Sequence, residues 1–368
     1  MLTAIDLFAG AGGFSEGFRM EDFRILAAND FDKDAANTYR LNHPEVNFLD
    51  GPIEQISGKD LLKAACIRKG ELDVLIGGPP CQAFSVYNHQ RGFHDERSGL
   101  FREYIRIVEA LEPKIIVMEN VTGMASVEKG RAIFEITKSL EKLGYTVDHK
   151  ILKAEDYGVP QERRRLIFLG VRHNFSFQWP DPTHIKSGNA KLKKCNTVWD
   201  AISDLPKLSI DEGFEEGVYN TAPLSDLQKY LRKESSLIFN HVAPHLMPIN
   251  MYRMKYIPQG GSWRDIPFDL LPEGMKRAKR SDHTKRYGRL TKDGLSSTIL
   301  TRCDPHWGAY IHPTQDRTLT VREAARLQTF PDRIRFMGAR VEQYRQVGNA
   351  VPPLLGKAIA KTVKELLI

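Results

Sequence analysis

The chain reads as an α/β protein: a doubly wound, mostly parallel sheet with a smaller inserted domain. Three observations predict this. Short apolar runs ending in turns alternate with segments of helical periodicity from Thr3 to Gly170. A glycine-rich turn, Ala9-Gly10-Ala11-Gly12-Gly13, follows the first run and opens a helix, the usual start of a nucleotide-binding α/β unit. The rhythm stops near Trp179-Pro180-Asp181-Pro182 and returns at Thr318, so the stretch between them is an insertion. The expected boundaries are 1–180 for the large domain, 181–317 for the inserted one, and 318–368 for the return to the first.

Thr3 to Phe8 is the first strand. The turn after it is not the dinucleotide pattern, since Ser15 holds the third glycine position, which argues against a pyrophosphate ligand. Arg24 to Ala28 is a second strand, ending at Asn29-Asp30-Phe31. An acidic residue there is where such folds hold ribose hydroxyls. Phe31 beside it can lie against an adenine face; a surface Asp and a core Phe are the bland alternative. Lys33 to Asn42 is helical, Val46 to Asp50 is a third strand, and Asp50-Gly51-Pro52-Ile53 turns.

Leu72 to Ile76 is a buried strand that runs into Gly77-Gly78-Pro79-Pro80-Cys81-Gln82. Two glycines let backbone approach a ligand, and two prolines fix the path. Cys81 follows this rigid corner and is placed like a nucleophile, with the thiolate as its reactive form. An isolated cysteine would be read as a core residue; the prolines speak against that here. Residues 86–98 are polar and carry His89, Arg91, His94 and Arg97. They read as a loop or lid beside Cys81, and two histidines without a third ligand nearby do not make a metal site.

Leu100, Tyr104, Ile107, Val108 and Leu111 fall at helical spacing, and Pro113 ends that helix. Lys114 to Met118 is another buried strand. It delivers Glu119 where desolvation can raise a carboxyl pKa and suit it to act as an acid; a satisfied turn carboxylate is the alternative. Arg131 to Leu143 is a helix and Tyr145 to Ala154 a strand. Gln161-Glu162-Arg163-Arg164-Arg165 then leads into the strand Leu166 to Gly170. Alternation puts Arg163 and Arg165 on one face, suited to a phosphate or a pyrimidine carbonyl, unless this is a solvated edge. Cys81 and Glu119 both end strands, so both fall on the carboxyl edge, where such sheets bind ligands.

The inserted stretch has another texture. Leu271 to Arg302 holds nine Lys/Arg against three Asp/Glu, with Trp263, Tyr287 and Trp307 nearby. That composition suits contact with nucleic acid, and equally a solvated charged face. Beyond it, Thr320 and Glu323 form a capping box at the head of a helix. Gln346 to Pro353 reads as a turn into a last helix bearing Leu354, Leu355, Ile359 and Val363. The whole chain carries a formal charge of +7, which makes an anionic partner plausible. Its four cysteines are widely spaced and fit neither a zinc site nor a disulfide framework. No apolar run reaches membrane-spanning length, and Met1 to Asp6 does not resemble a signal peptide. The expectation is a reducing, cytoplasmic, bacterial setting without a membrane partner.

Six motifs in this order resemble the DNA (cytosine-5) methyltransferases, most closely the prokaryotic restriction–modification type. They are Asp6 through Gly13, Gly78-Pro79-Pro80-Cys81-Gln82, Glu119-Asn120-Val121, Gln161 through Arg165, Arg317 through Gln328, and Gly348 through Pro352. The resemblance covers all but roughly 181–300. It implies a Rossmann-like fold that uses S-adenosylmethionine and releases S-adenosylhomocysteine, with the insertion as a target-recognition domain. Phe8, Gly10, Gly12, Gly13 and Phe14 would line the cofactor pocket. Asp30 would take the ribose hydroxyls, and Phe31 and Ile53 would pack on adenine, with Leu100, Asn349 and Ala350 at remaining positions. Pro52 departs from the family, which often has an Asp there near the adenine amine.

The implied chemistry attacks C6 of cytosine with Cys81, so that C5 becomes nucleophilic. Glu119 would hold N3 and the exocyclic amine, Arg165 the O2 carbonyl, and Arg163 would orient the site. The substrate would be double-stranded DNA with the cytosine flipped out. Ser85, Arg97 and Thr298 would contact that DNA, with Thr298 in the Ser296–Leu300 stretch that resembles the family's Thr-Leu element. A monomer is expected, paired in function with a cognate restriction endonuclease. Three rivals stand beside this reading. A transfer-RNA methyltransferase of the same family would act on tRNA and not on duplex DNA. A silent DNA-binding protein would bind without transferring methyl groups. A nucleotide-dependent oxidoreductase would need the missing third glycine.

Overall fold

Segments 3–7, 24–30, 47–50, 74–77, 115–121, 145–153 and 164–172 assemble into one sheet. The computed structural model describes residues 1–80, 99–125, 130–172 and 178–368. Within it the strands are β1 (Thr3–Leu7), β2 (Arg24–Asp30), β3 (Asn47–Asp50), β4 (Val74–Gly77), β5 (Ile115–Val121), β6 (Tyr145–Lys153) and β7 (Arg164–Arg172). Their order is β3-β2-β1-β4-β5-β7-β6. The first five pair in parallel, while β7 runs antiparallel to both β5 and β6. The sheet is thus mostly parallel and Rossmann-like. The chain winds outward from β1 to β3, then restarts at β4 on the other side, which puts the switch point between β1 and β4.

Contacts divide the chain into two units. The first comprises Met1–Tyr157, Arg164–Thr183 and Ala350–Ile368; the second comprises Gly158–Arg163 and His184–Asn349. In the first, helices α1 (Gly13–Arg19), α2 (Lys33–Asn42), α3 (Gly58–Ala65), α4 (Leu100–Leu111) and α5 (Arg131–Lys142) alternate with the strands. Leu100 is only partly buried; of the other helical-period residues, α4 buries Tyr104, Ile107, Val108 and Leu111, together with Phe101. They join Ile5, Leu75, Ile116 and Phe168 in the core. The C-terminal helix, Pro353–Leu367, begins on a proline in its first turn and packs on α1. The approach is close: a Cβ added at Gly17 would lie 2.6 Å from the Gly356 backbone.

In the second unit the helix Val321–Leu327 starts at Thr320, whose hydroxyl and the Glu323 carboxylate close the expected capping box. Glu323 also takes a bidentate pair from Arg317, at 2.8 and 2.7 Å, with both side chains 1% exposed. Arg326 bridges Asp332 and Asp204 without exposure to solvent. Arg322, also buried, donates to the carbonyls of Phe239 and Ile334. A separate apolar cluster gathers Met254, Ile257, Trp263, Tyr287 and Ile311.

One local expectation is revised. Gln346 to Asn349 belongs to a helix, Arg340–Asn349, and not to a turn. Gln343, Tyr344 and Val347 are buried along it. Gly348 lies within this helix, and a close neighbour leaves no room for a side chain there: a Cβ would meet the Leu300 carbonyl oxygen at 2.2 Å. Among the described residues, no helix is long and apolar enough to cross a membrane.

Candidate active site

Strand register lines up one row of residues across the sheet. Leu7 pairs with Asn29 on one side and Gly77 on the other, and Gly77 pairs with Met118. The next residue on each strand is Asp30, Phe8, Gly78 and Glu119. Four residues distant in sequence therefore share the carboxyl edge of the first unit. The apolar run Lys114 to Met118 placed Glu119 just past the end of its strand; β5 in fact continues to Val121, held there by antiparallel pairing with β7.

That pairing makes the Glu–Arg couple. Glu119 lies opposite Ile167 and Arg165 opposite Val121, so Arg165 is the diagonal neighbour of Glu119. Their side chains form an ion pair, Nε to Oε1, at 2.6 Å, with 13% and 11% exposure. Burial pulls the Arg165 guanidinium below its ordinary pKa, although Glu119 opposes that shift. The carboxylate is therefore balanced by a cation and not isolated in apolar surroundings. Its Oε2 presses on the corner after β4: a Cβ added at Gly78 would sit 3.0 Å from it. Asn120, buried beside it, donates from Nδ2 to the Pro79 carbonyl at 3.1 Å and accepts from the Val121 N–H at 2.9 Å. Asn120 thus fastens the end of β5 to the Gly-Pro-Pro corner. The sequence signal was there in Glu119-Asn120-Val121, but nothing in it told which backbone the amide would hold. Cys81, Ser85 and Arg97, with the 86–98 loop, lie outside the described residues.

The glycine turn sits at the same edge. Phe8 leaves β1 with φ +57°, a left-handed conformation rare for a phenylalanine and found where a ligand or turn imposes it. Gly12 takes φ +85°, and a Cβ there would strike His43 Nε2 at 2.9 Å. Gly13 and Phe14 open α1 and are buried. The Asp30 carboxylate accepts from the Gly10 N–H at 2.7 Å and the Asp32 N–H at 2.9 Å, so it braces the turn. Burial raises its pKa despite those two bonds. Phe31 is 64% exposed, Ile53 is buried, and Leu100 and Ala350 are partly buried. Ser15, the residue that breaks the dinucleotide pattern, is buried and donates to Asp6 Oδ2 at 2.6 Å, with the Tyr39 hydroxyl 2.7 Å from its Oγ. Burial lifts the Asp6 pKa to about 7, and the Ser15 bond only partly offsets it.

The second unit holds the remaining candidates. Arg163 is 1% exposed and donates to the carbonyls of Ile299 at 3.2 Å and Gly348 at 2.9 Å. Gln161 Nε2 donates to the Leu327 carbonyl, and its Oε1 accepts from the Ile299 N–H; Gln328 Nε2 donates to the Val347 carbonyl. Gln161, Arg163 and Gln328 therefore knit three motifs together through backbone, a role not readable from residue type. Thr298 donates its hydroxyl to the Glu162 carbonyl at 2.7 Å, so a phosphate contact would require it to change partners. Asn349 is exposed at the end of its helix.

Sheet order, glycine turn and a Glu–Arg pair at the carboxyl edge define a Rossmann-like methyltransferase fold. The sequence matches the C-5 cytosine-specific DNA methylase profile over residues 2–365. It is 38% identical over 367 residues to the Type II methyltransferase M1.HphI of Haemophilus parahaemolyticus, covering 99% of this chain and 87% of that one. It is 33% identical to the Type II methyltransferase M.AgeI of Thalassovita gelatinovora, covering 99% of both. Among solved structures, a candidate DNA modification methyltransferase encoded within an E. coli prophage superposes with a TM-score of 0.79 at 25% identity, over 100% of this chain and 99% of that one. A methyltransferase of Entamoeba histolytica shares the fold at a TM-score of 0.61 and 16% identity, over 100% and 99%. The chain belongs to the C-5 cytosine-specific DNA methylase family. It is a DNA (cytosine-5-)-methyltransferase of the Type II restriction–modification kind.

Proposed function

We propose that the chain methylates C5 of a cytosine flipped out of a short specific sequence in double-stranded DNA, through a covalent bond between Cys81 and C6. The carrying observation is the Glu119–Arg165 pair seated against Gly78, with Asn120 holding Pro79 two residues before Cys81.

The residues fit S-adenosylmethionine as methyl donor. Asp30 offers a buried carboxylate for ribose hydroxyls, Phe31 an exposed aromatic face and Ile53 an apolar one, beside the backbone of the glycine turn. Phe8, Gly10, Gly12, Gly13, Phe14, Leu100, Asn349 and Ala350 complete the set this reading assigns to it. When bound, S-adenosylmethionine supplies an electrophilic methyl group and leaves as S-adenosylhomocysteine.

Cys81 attacks C6 as a thiolate and makes C5 nucleophilic. Glu119 holds the exocyclic amine and protonates N3 as charge builds there, and Arg165 stabilises O2. After methylation a base takes the C5 proton, N3 returns its proton to Glu119, and the C6–S bond breaks to release the Cys81 thiolate, which restores the ring as 5-methylcytosine. Arg163 positions the site through the carbonyls it holds. Ser85, Arg97 and Thr298 contact the DNA, and the segment 181–317 reads its sequence in the major groove. In this reading the chain acts as a monomer in the bacterial cytoplasm. It protects DNA against a cognate restriction endonuclease.

Cytosine-conversion sequencing of DNA from a methylation-free bacterial host tests this. The chain should leave 5-methylcytosine within one short motif, and Cys81→Ala should leave none. Methylation by the Cys81→Ala variant refutes the covalent route. An unmethylated genome with methylated tRNA refutes the DNA substrate.

A further inference from the structure

Trp307, near the basic stretch of the inserted segment, has no individual role in the reading above, and its setting is unusual. It is 55% exposed, whereas Trp263 of the same unit is 4% exposed. An indole left in water forgoes one of the largest apolar burials any side chain offers. The backbone that carries it is heavily braced. The Asp304 carboxylate accepts from both the backbone N–H and the ring Nδ1 of His306, each at 2.8 Å. The other ring nitrogen lies 2.6 Å from the hydroxyl of Tyr287, a fully buried residue. Tyr287 donates to Asn250 Oδ1 at 3.0 Å, and Arg253 donates to the same oxygen at 2.9 Å. The Tyr287 N–H donates to the Pro305 carbonyl, and the Trp307 N–H to the Asp304 carbonyl at 3.0 Å. These contacts brace the backbone from which the exposed indole projects.

The same backbone is tied to a proposed DNA contact. The Tyr310 hydroxyl donates to the Thr298 carbonyl at 3.1 Å and accepts from the Leu300 N–H at 3.3 Å. The stretch Leu271 to Arg302, with nine Lys/Arg against three Asp/Glu, leads directly into this loop, and Arg302 itself is exposed. Cations for phosphates and a rigid, outward aromatic ring are the two components with which proteins hold unpaired nucleic acid.

We infer that Trp307 is a base-stacking residue, carried on backbone braced by the Asp304–His306–Tyr287 chain of hydrogen bonds, that lies on a base face uncovered when the cytosine leaves the duplex. The inference rests on the base-flipping reading of the preceding subsection. Withdrawing one base strips its neighbours and its former partner of a stacking surface. An indole on such a face stabilises the opened duplex, and it does so for any base, because every base has a π face.

The test uses two duplexes, one with the recognition motif found by conversion sequencing and one without it, and the native, Trp307→Ala and Trp307→Phe chains. Trp307→Ala should weaken binding to the motif duplex, and lower kcat/KM on it, about tenfold to a hundredfold. Trp307→Phe should lose less than about threefold, since it keeps an aromatic face. Binding to the motif-free duplex, cofactor affinity and thermal midpoint should not move. The motif duplex should quench a component of native tryptophan fluorescence that Trp307→Phe lacks. Unchanged activity of Trp307→Ala beside an active native chain overturns the assignment alone. So does an equal loss on both duplexes. A native chain that methylates no duplex overturns the reading beneath it, and the assignment with it.

Discussion

Replacing Asp6 by asparagine should make the chain gain stability over the native protein as pH rises. Asp6 is 1% exposed, and its carboxyl is bonded to Ser15 under the glycine turn. In the fold its pKa stands at about 7 because burial disfavours the charge; in the unfolded chain it is about 4. Below pH 4 both states hold the proton, and Asp6 contributes no pH dependence. As pH rises to 7 the unfolded chain ionises first, and the fold loses stability relative to it. Above 7 both are ionised and the loss is complete. Three pH units at 1.36 kcal/mol each give a ceiling of ~4 kcal/mol. The amide of the Asp6→Asn variant keeps an oxygen to accept from Ser15 and cannot ionise, so the variant should lack this term. Any packing penalty of the amide is constant with pH. Urea unfolding of both chains between pH 4 and pH 8 measures it: relative to the native chain, the variant should gain about 1 kcal/mol per pH unit up to pH 7 and then level off. A difference that is the same at pH 5 and pH 8 refutes the placement of a buried neutral carboxyl at Asp6.

Other substitutions test the site. Gly78→Ala puts a methyl group 3.0 Å from the Glu119 carboxylate and should lower kcat about tenfold to a hundredfold by displacing it, while cofactor affinity measured by titration calorimetry stays native. Asn120→Ala removes the bond to the Pro79 carbonyl; kcat should fall while the motif-dependent binding of duplex persists, and unaltered single-turnover rates would count against the fastening role. Gly17→Ala drives a methyl group against the Gly356 backbone at 2.6 Å and should destabilise by about 1–3 kcal/mol, read as a lower urea midpoint. A midpoint at the native value would mean that α1 and the last helix do not meet as described.

Most strands and helices of the first unit were legible because their apolar runs are short, bounded and mostly followed by a helical period; the helix Gly58–Ala65 was not read from the sequence. Lys33 to Asn42 is read from sequence and found in structure with the same ends. Strand order was not legible, since periodicity carries no information about which run lies beside which. The antiparallel entry of β7 is the consequence that matters, because it brings Arg165 diagonally to Glu119. Of the Arg317–Gln328 motif, only the capping box was readable, because it is local. The Arg317–Glu323 and Arg326–Asp204 pairs depend on tertiary packing and could not be. The Gln346–Asn349 stretch misled because glycine and asparagine usually stop helices, whereas here Gly348 lies within one, under a close approach by Leu300.

The contact of α1 with the last helix has a consequence for synthesis. Lys364 Nζ donates to the Glu21 carbonyl, 343 positions earlier. At the usual ribosomal pace of about 5–20 residues per second, the partner of α1 emerges roughly 20–70 s after α1 itself. Throughout that interval the side of α1 that the last helix covers stays open, although Phe18 can already pack on Phe23. A nascent chain halted before Pro353 would therefore leave the ribosome with that side of its first helix unsheltered, prone to aggregation and to holdase capture.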